Sequence, residues 1–233
     1  MEPAHAGNES PMTTHAGVIF DVDGTLLDTN YQHVLAWELA FRDGGHLGVD
    51  MADLHRLIGR ASTDLVTEVL GNADEEVVEG HSRRYDELRE LIEPRPVSGA
   101  ADLVTACAGR GLRVVLATSG SAEDVEWMVP AIGAGEHVDR ITTSDQVERS
   151  KPAPDLLAAA ATENDLDLTR TAVVGDTVWD VEAARRIGVD CIALTCGGVG
   201  ERDLRAAGAA EVWASCADLL AHLDESVLST LAS

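Results

Sequence analysis

Two aspartates one residue apart, Asp21 and Asp23, stand directly after the apolar run 17–20 (GVIF) and just before Gly24. If the chain turns tightly at Gly24, both carboxylates face one pocket, where one can act as a nucleophile and the other as an acid or base. A calcium loop is the competing use of such aspartates. It fails on spacing, because Gly24 follows Asp23 at once and residues 18–20 are apolar. Further reactive groups follow in order: Thr118 after VVLA, Lys151 at the head of KPAPD, and Asp176 and Asp180 in GDTVWD after TAVV. Asp180 sits one helical turn past Asp176, which predicts one helix face for both carboxylates. Of the 17 basic residues, 16 are arginines, and Lys151 is the only lysine in the chain. A compact ammonium fits between a carboxylate and a phosphate where a planar guanidinium does not.

These residues need a frame that gathers them. Apolar runs at 17–20, 112–117, 171–174 and 191–194 read as buried strands, each followed by polar or glycine residues and most by a helical stretch. That alternation predicts an α/β fold, a doubly wound Rossmann-like parallel sheet whose strand ends carry Asp21, Thr118 and Asp176. Sheet-flanking helices are expected at 100–110, 122–132, 154–163, 178–187 and 217–223. Some 90 residues separate the first two strands, far more than a crossover requires. Most of them show helical spacing, which predicts an inserted α-helical cap over 30–94, with 15–29 and 95–233 forming the core domain. Residues 1–14 read as a disordered tail.

Composition narrows the function. With 17 Lys and Arg against 41 Asp and Glu, the formal charge of -24 disfavours nucleic acid and anionic lipid as partners. No apolar run approaches a membrane span of roughly 20 residues, and the N-terminus lacks a signal-peptide pattern. The four cysteines have no metal-ligand spacing and fit a reducing cytoplasm. An acidic surface repels anionic substrates, so a phosphate site here requires local positive charge.

The four motifs together, DxDGT, a Thr, a Lys and GDxxxD, resemble those of the haloacid dehalogenase-like superfamily over about residues 17–224. The resemblance implies a magnesium-dependent phosphatase acting on a small phosphorylated metabolite. Asp21 would attack phosphorus, and Asp23 would protonate the leaving oxygen and then deprotonate water. Asp21 and Asp176 would bind Mg2+ through carboxylates and Asp23 through its main-chain carbonyl, while Thr118 and Lys151 hold the phosphoryl oxygens. Phosphoryl transfer depends on positioning and charge neutralisation, which suits a hard cation and one fixed ammonium. Backbone amides of Val22, Asp23, Ser119 and Gly120 are expected to add donors, at the N-terminus of the helix that follows Ser119-Gly120-Ser121. Asp180 is expected to orient Lys151 or a metal-bound water, with Thr25 beside it in a supporting role.

The segment from Asp28 to His33, with Ala36-Trp37, is similar to the hinge of β-phosphoglucomutase-like and phosphoglycolate phosphatase-like members. Residues 57–60 (LIGR) resemble their substrate-facing cap loop. His33 and Arg60 are therefore candidate substrate contacts, while Trp37, Leu57, Val178 and Trp179 read as packing residues. The alternative functions are a phosphoryl-transferring mutase, disfavoured by Ser62 where that group has an Arg, and a receiver-like or inactive phospho-binding module.

Overall fold

Burial along the first strand shows how the sheet is seated. In the computed structural model, which describes residues 14–147 and 151–231, β1 (His15–Phe20) turns Val18 and Phe20 into one apolar layer and Ile19 into the opposite one. A strand buried on both faces needs apolar residues throughout, which is what residues 17–20 supply. The expected N-terminal tail lies outside the described residues except for Thr14.

Helices α1 (Asn30–Asp43), α2 (Met51–Leu57), α3 (Ser62–Leu70) and α4 (Glu75–Leu91) come next, followed by α5 (Ala100–Gly109), β2 (Arg113–Ala117), α6 (Ala122–Ile132) and β3 (Arg140–Thr142). The chain continues through α7 (Asp155–Glu163), β4 (Leu166–Gly175), α8 (Val178–Arg186), β5 (Asp190–Leu194), α9 (Glu201–Ala207), β6 (Glu211–Trp213), α10 (Cys216–Ala221) and α11 (Leu228–Leu231). The six strands are parallel and ordered β3-β2-β1-β4-β5-β6. Strand order therefore reverses between β1 and β4, where such sheets open a crevice beyond their carboxyl ends. Residues of α5, α6, α10 and α11 close one face of the sheet, and residues of α7, α8 and α9 the other.

The insert has its own core. Val34, Trp37, Phe41, Leu54, Leu65 and Val77 from α1 to α4 pack together away from the sheet. Asp74 caps α4 by accepting from the N–H groups of Glu76 and Val77 at 3.1 and 3.3 Å. Its entry and exit run side by side: Asp28 N–H donates to Arg95 O at 2.8 Å, and Val97 N–H to Leu26 O at 2.9 Å.

Four elements were not anticipated from the sequence: β3, β6, α9 and α11. β4 also begins at Leu166 instead of 171, because its first half is polar and largely uncovered while only its second half is buried.

Candidate active site

The segment carrying Asp21 and Asp23 is fixed by a turn wound on one carbonyl. Val22 O accepts from the N–H groups of Thr25, Leu26 and Leu27, and Gly24 adopts φ +79. Few residues other than glycine tolerate that angle, and a Cβ on Gly24 would also lie 2.4 Å from Asp176 Oδ2. The turn swings Thr25 beneath the site, where its hydroxyl donates to Asp176 Oδ1 at 2.8 Å and lies 3.2 Å from Asp21 Oδ2. Asn30, at the start of α1, donates to Asp176 Oδ2 at 2.7 Å and to Gly197 O at 3.0 Å.

Lys151 completes the cluster. Only 1% of its side chain is exposed, and its ammonium is held between Asp21 Oδ1 and Asp180 Oδ1, the latter at 2.7 Å. The other Asp180 oxygen accepts from the N–H and hydroxyl of Thr177 at 3.0 and 2.6 Å. Asp180 is thus a positioning group for Lys151, at the third position of α8. One expectation is corrected here: Asp176 is not on the helix with Asp180. Thr177 is the extended N-cap of α8, so Asp176 belongs to the strand end.

Burial dominates the electrostatics. It lifts Asp21 to about 7 against the pull of Lys151, with the Asp180 and Asp23 charges adding to the rise. Asp176 is raised well above the usual carboxylate range by burial and by its neighbours Asp21 and Asp180. Lys151 is raised despite burial, because Asp180 and Asp21 hold its proton.

Asp23 is set differently. Thr29 Oγ1 donates to its Oδ1 at 2.6 Å, and His33 Nε2 lies 3.3 Å from the same oxygen. Burial works to raise this carboxyl, but the hydrogen bond and charge of His33, with Thr29, bring it below its ordinary value. His33 Nδ1 in turn meets His81 Nε2 at 3.2 Å, and His81 stacks on Trp37 at 3.9 Å. His33 therefore reaches the acid pair, whereas nothing in the sequence singled out His81.

Thr118 follows β2, the neighbour of β1, and its Oγ1 accepts from Gly120 N–H at 2.9 Å. The Gly120 amide, expected to be a phosphoryl donor, is engaged by Thr118 in this arrangement. Ser119 lies in the bend between Thr118 and Gly120, and Ser121 caps α6 in a reciprocal box with Asp124.

Arg60 is not brought to the acidic cluster. Its guanidinium lies 5.1 Å over the Trp179 ring and its NH1 is 3.3 Å from Glu68. Trp179 packs as expected, but against the insert: its Nε1 donates to Arg56 O at 3.2 Å. Gly59 (φ +94) lies so close that a Cβ there would sit 3.1 Å from Thr177 Oγ1. His55 Nε2 meets Gly197 O at 2.9 Å, so α2 touches the same loop that abuts Asp176.

The donor set fits a hard divalent cation. Carboxylate oxygens of Asp21, Asp176 and Asp180 lie within 4.8 Å of one another, and Asn30 Oδ1 is buried beside them with no partner among the described residues. All three carboxylates already have protein partners: Lys151 on Asp21 and Asp180, Thr177 on Asp180, and Thr25 and Asn30 on Asp176. Oxygen-only donors of this kind suit a hard divalent cation and not a softer metal.

A family model described as haloacid dehalogenase-like hydrolase matches residues 18–194. The chain is 28% identical to validoxylamine A 7'-phosphate phosphatase of Streptomyces hygroscopicus subsp. limoneus over 76% of this chain and 84% of that one. It is 27% identical to fructose-1-phosphate phosphatase YqaB of Escherichia coli, over 76% and 95% respectively. A crystal structure of a hydrolase from Pseudomonas syringae superposes with a TM-score of 0.82 at 33% identity, covering 91% of this chain and 99% of that one.

Proposed function

The chain belongs to the haloacid dehalogenase-like hydrolase family, and as a phosphatase of that family we propose that it cleaves a small phosphorylated metabolite with magnesium through an aspartyl-phosphate on Asp21. The observation that carries this reading is the buried Lys151, held between Asp21 and Asp180, with Asp21 and Asp176 directly after the neighbouring strands β1 and β4. Burying these charges costs desolvation that packing alone does not call for, which favours a functional reading of the cluster.

The residues divide the work as follows. An Asp21 oxygen attacks phosphorus while Asp23 delivers a proton to the departing oxygen. Water then attacks the phosphoryl group, Asp23 takes the proton, and phosphate and free Asp21 result. In this arrangement Asp23 is an anion steadied by Thr29 and His33, ready as the base of the second step. As the acid of the first it needs the phosphoryl dianion beside it, whose charge raises its hold on a proton. Asp21, Asp176 and the Asp23 carbonyl would hold magnesium, which when bound neutralises the acids and the phosphoryl charge. Lys151 and the Thr118 hydroxyl would bind phosphoryl oxygens and align them for attack.

Residues 30–94 act in this reading as a cap that shuts water out, over a core formed by 15–29 and 95–233. A reducing cytoplasm is the proposed location: Cys107, Cys191 and Cys216 are buried and Cys196 half-buried, all free. Among the described residues no helix is long and apolar enough to cross a membrane. The test is phosphate release from sugar, polyol, glycolate and aryl phosphates, with magnesium and with excess chelator. Release that needs magnesium and vanishes in Asp21→Asn is expected; undiminished release in Asp21→Asn would overturn the mechanism.

A further inference from the structure

Tyr85 on α4 is buried to 4% exposure, yet its hydroxyl has no hydrogen-bond partner among the described residues. Buried hydroxyls without partners are uncommon and cost stability, so a native one calls for an explanation. The ring lies flat on His33, with centroids 3.9 Å apart and planes 9° from parallel, and His33 is the residue that touches Asp23. Burial raises the phenol, and the strongest charge acting on it is the Asp23 carboxylate, ahead of Asp124. One turn along α4, the buried Nε of Arg89 is also without a partner, and its guanidinium lies 4.9 Å over Trp127 of α6. Tyr85 and Trp127 stand 6.2 Å apart. Two unmet polar atoms thus lie close together on α4, and the Tyr85 ring connects them through His33 to the acid/base group.

We propose that the Tyr85 hydroxyl contacts the leaving group of the substrate by binding one of its hydroxyls, so that the enzyme selects sugar or polyol phosphates. The inference rests on the phosphohydrolase reading above. A phenol both donates and accepts, which matches an alcohol. A second carboxylate or phosphate on the leaving group would meet the Asp23 and Asp124 charges. Arg89 offers little compensation, because its NH2 is paired with Asp86 at 2.9 Å.

Tyr85→Phe removes only the unpartnered hydroxyl, and phenyl phosphate has no hydroxyl to lose. The expected result is a fall in kcat/KM of about tenfold or more on fructose 1-phosphate or sorbitol 6-phosphate, carried mainly by KM. Phenyl phosphate turnover should stay within about twofold and the melting temperature should not drop, since no protein hydrogen bond is broken. Equal loss on both kinds of substrate, or loss on neither, would overturn the inference and leave the hydrolase reading standing. So would a wild-type enzyme that takes phenyl phosphate but no hydroxylated phosphate. A wild-type enzyme that releases phosphate from none of them would overturn the hydrolase reading, and this inference with it.

Discussion

An ammonium enclosed by two carboxylates cannot be exchanged for a guanidinium without moving one of them. Lys151→Arg keeps the charge, but the wider fork would pair with Asp180 or Asp21 and hold the nucleophile away from phosphorus. We expect kcat to fall by about two orders of magnitude or more, the scale of losing a preorganised electrostatic group. Overpacking this enclosed position should also cost stability, about 1–3 kcal/mol, so kcat is to be compared well below the melting temperature. Most of the wild-type kcat surviving would remove Lys151 from the chemistry. Gly197 supplies a second test: a Cβ there would lie 1.7 Å from Asp176 Oδ2. Gly197→Ala should displace that carboxylate and raise the magnesium concentration for half-maximal activity about tenfold or more. Gly200→Ala, with open space around the new methyl, should change nothing, and equal magnesium requirements in the two would refute the argument. The acids and Lys151 that the fold brings together could be picked out in the sequence by their types and order. Gly197, His81 and Tyr85 could not, since their importance lies in approaches between residues far apart in the chain.

At the scale of elements, the insert touches the core through few, close contacts. The loop after α2 meets α8 at Gly59 and Thr177, and α4 meets α6 where Arg89 covers Trp127. Gly59→Val would place a branched side chain at positive φ against Thr177 and Trp179. Because Gly59 lies outside the Val34–Trp37–Phe41–Leu54 core of the insert, its helices should survive while the loop seats poorly on α8. The expected outcome is a fall of about tenfold to a hundredfold in kcat/KM with unchanged far-ultraviolet circular dichroism. Unaltered kcat/KM would mean that this approach has no part in turnover. The insert's helices were legible in the sequence because four amphipathic stretches separated by glycines leave little choice. The edge strands β3 and β6 were not, being three residues each, with Thr142 the one buried side chain in the two, too short for periodicity to register. The short α9 buries only Leu204, so it too lacks an apolar stripe.

For the molecule as a whole, the acidic cluster links catalysis to stability, and the sign can be worked out. Asp21 rises from an ordinary 3.8 unfolded to about 7 folded, and Asp176 rises well above 3.8 too. Between those values the folded state binds more protons than the unfolded one, so this contribution is fully present below about 4 and is lost as pH rises through 7. His81 acts the other way. Burial, with the charge of His33, holds its pKa well below 6.5, so it costs stability only as pH falls below about 6.5, where the unfolded histidine gains a proton. Above that point the carboxylates set the trend, the thiols of Cys107, Cys191, Cys196 and Cys216, raised by burial, adding to the fall only as pH nears 9, and in excess chelator the melting temperature should fall from pH 6.5 to 8.5. Magnesium requires the ionised carboxylates, so its stabilisation should grow over the same range. At a hundred times its dissociation constant it would supply about 2.7 kcal/mol. Screening of the -24 net charge is the rival cause, but sodium chloride at matched ionic strength should then do as well. Asp176→Asn separates the two. By removing a buried like charge it should raise the melting temperature in chelator at pH 8, flatten the pH trend, abolish the magnesium response and eliminate turnover. A magnesium shift of wild-type size in Asp176→Asn, or a melting temperature that does not fall with pH in chelator, would show that the cluster is not where the cation and the charge repulsion meet.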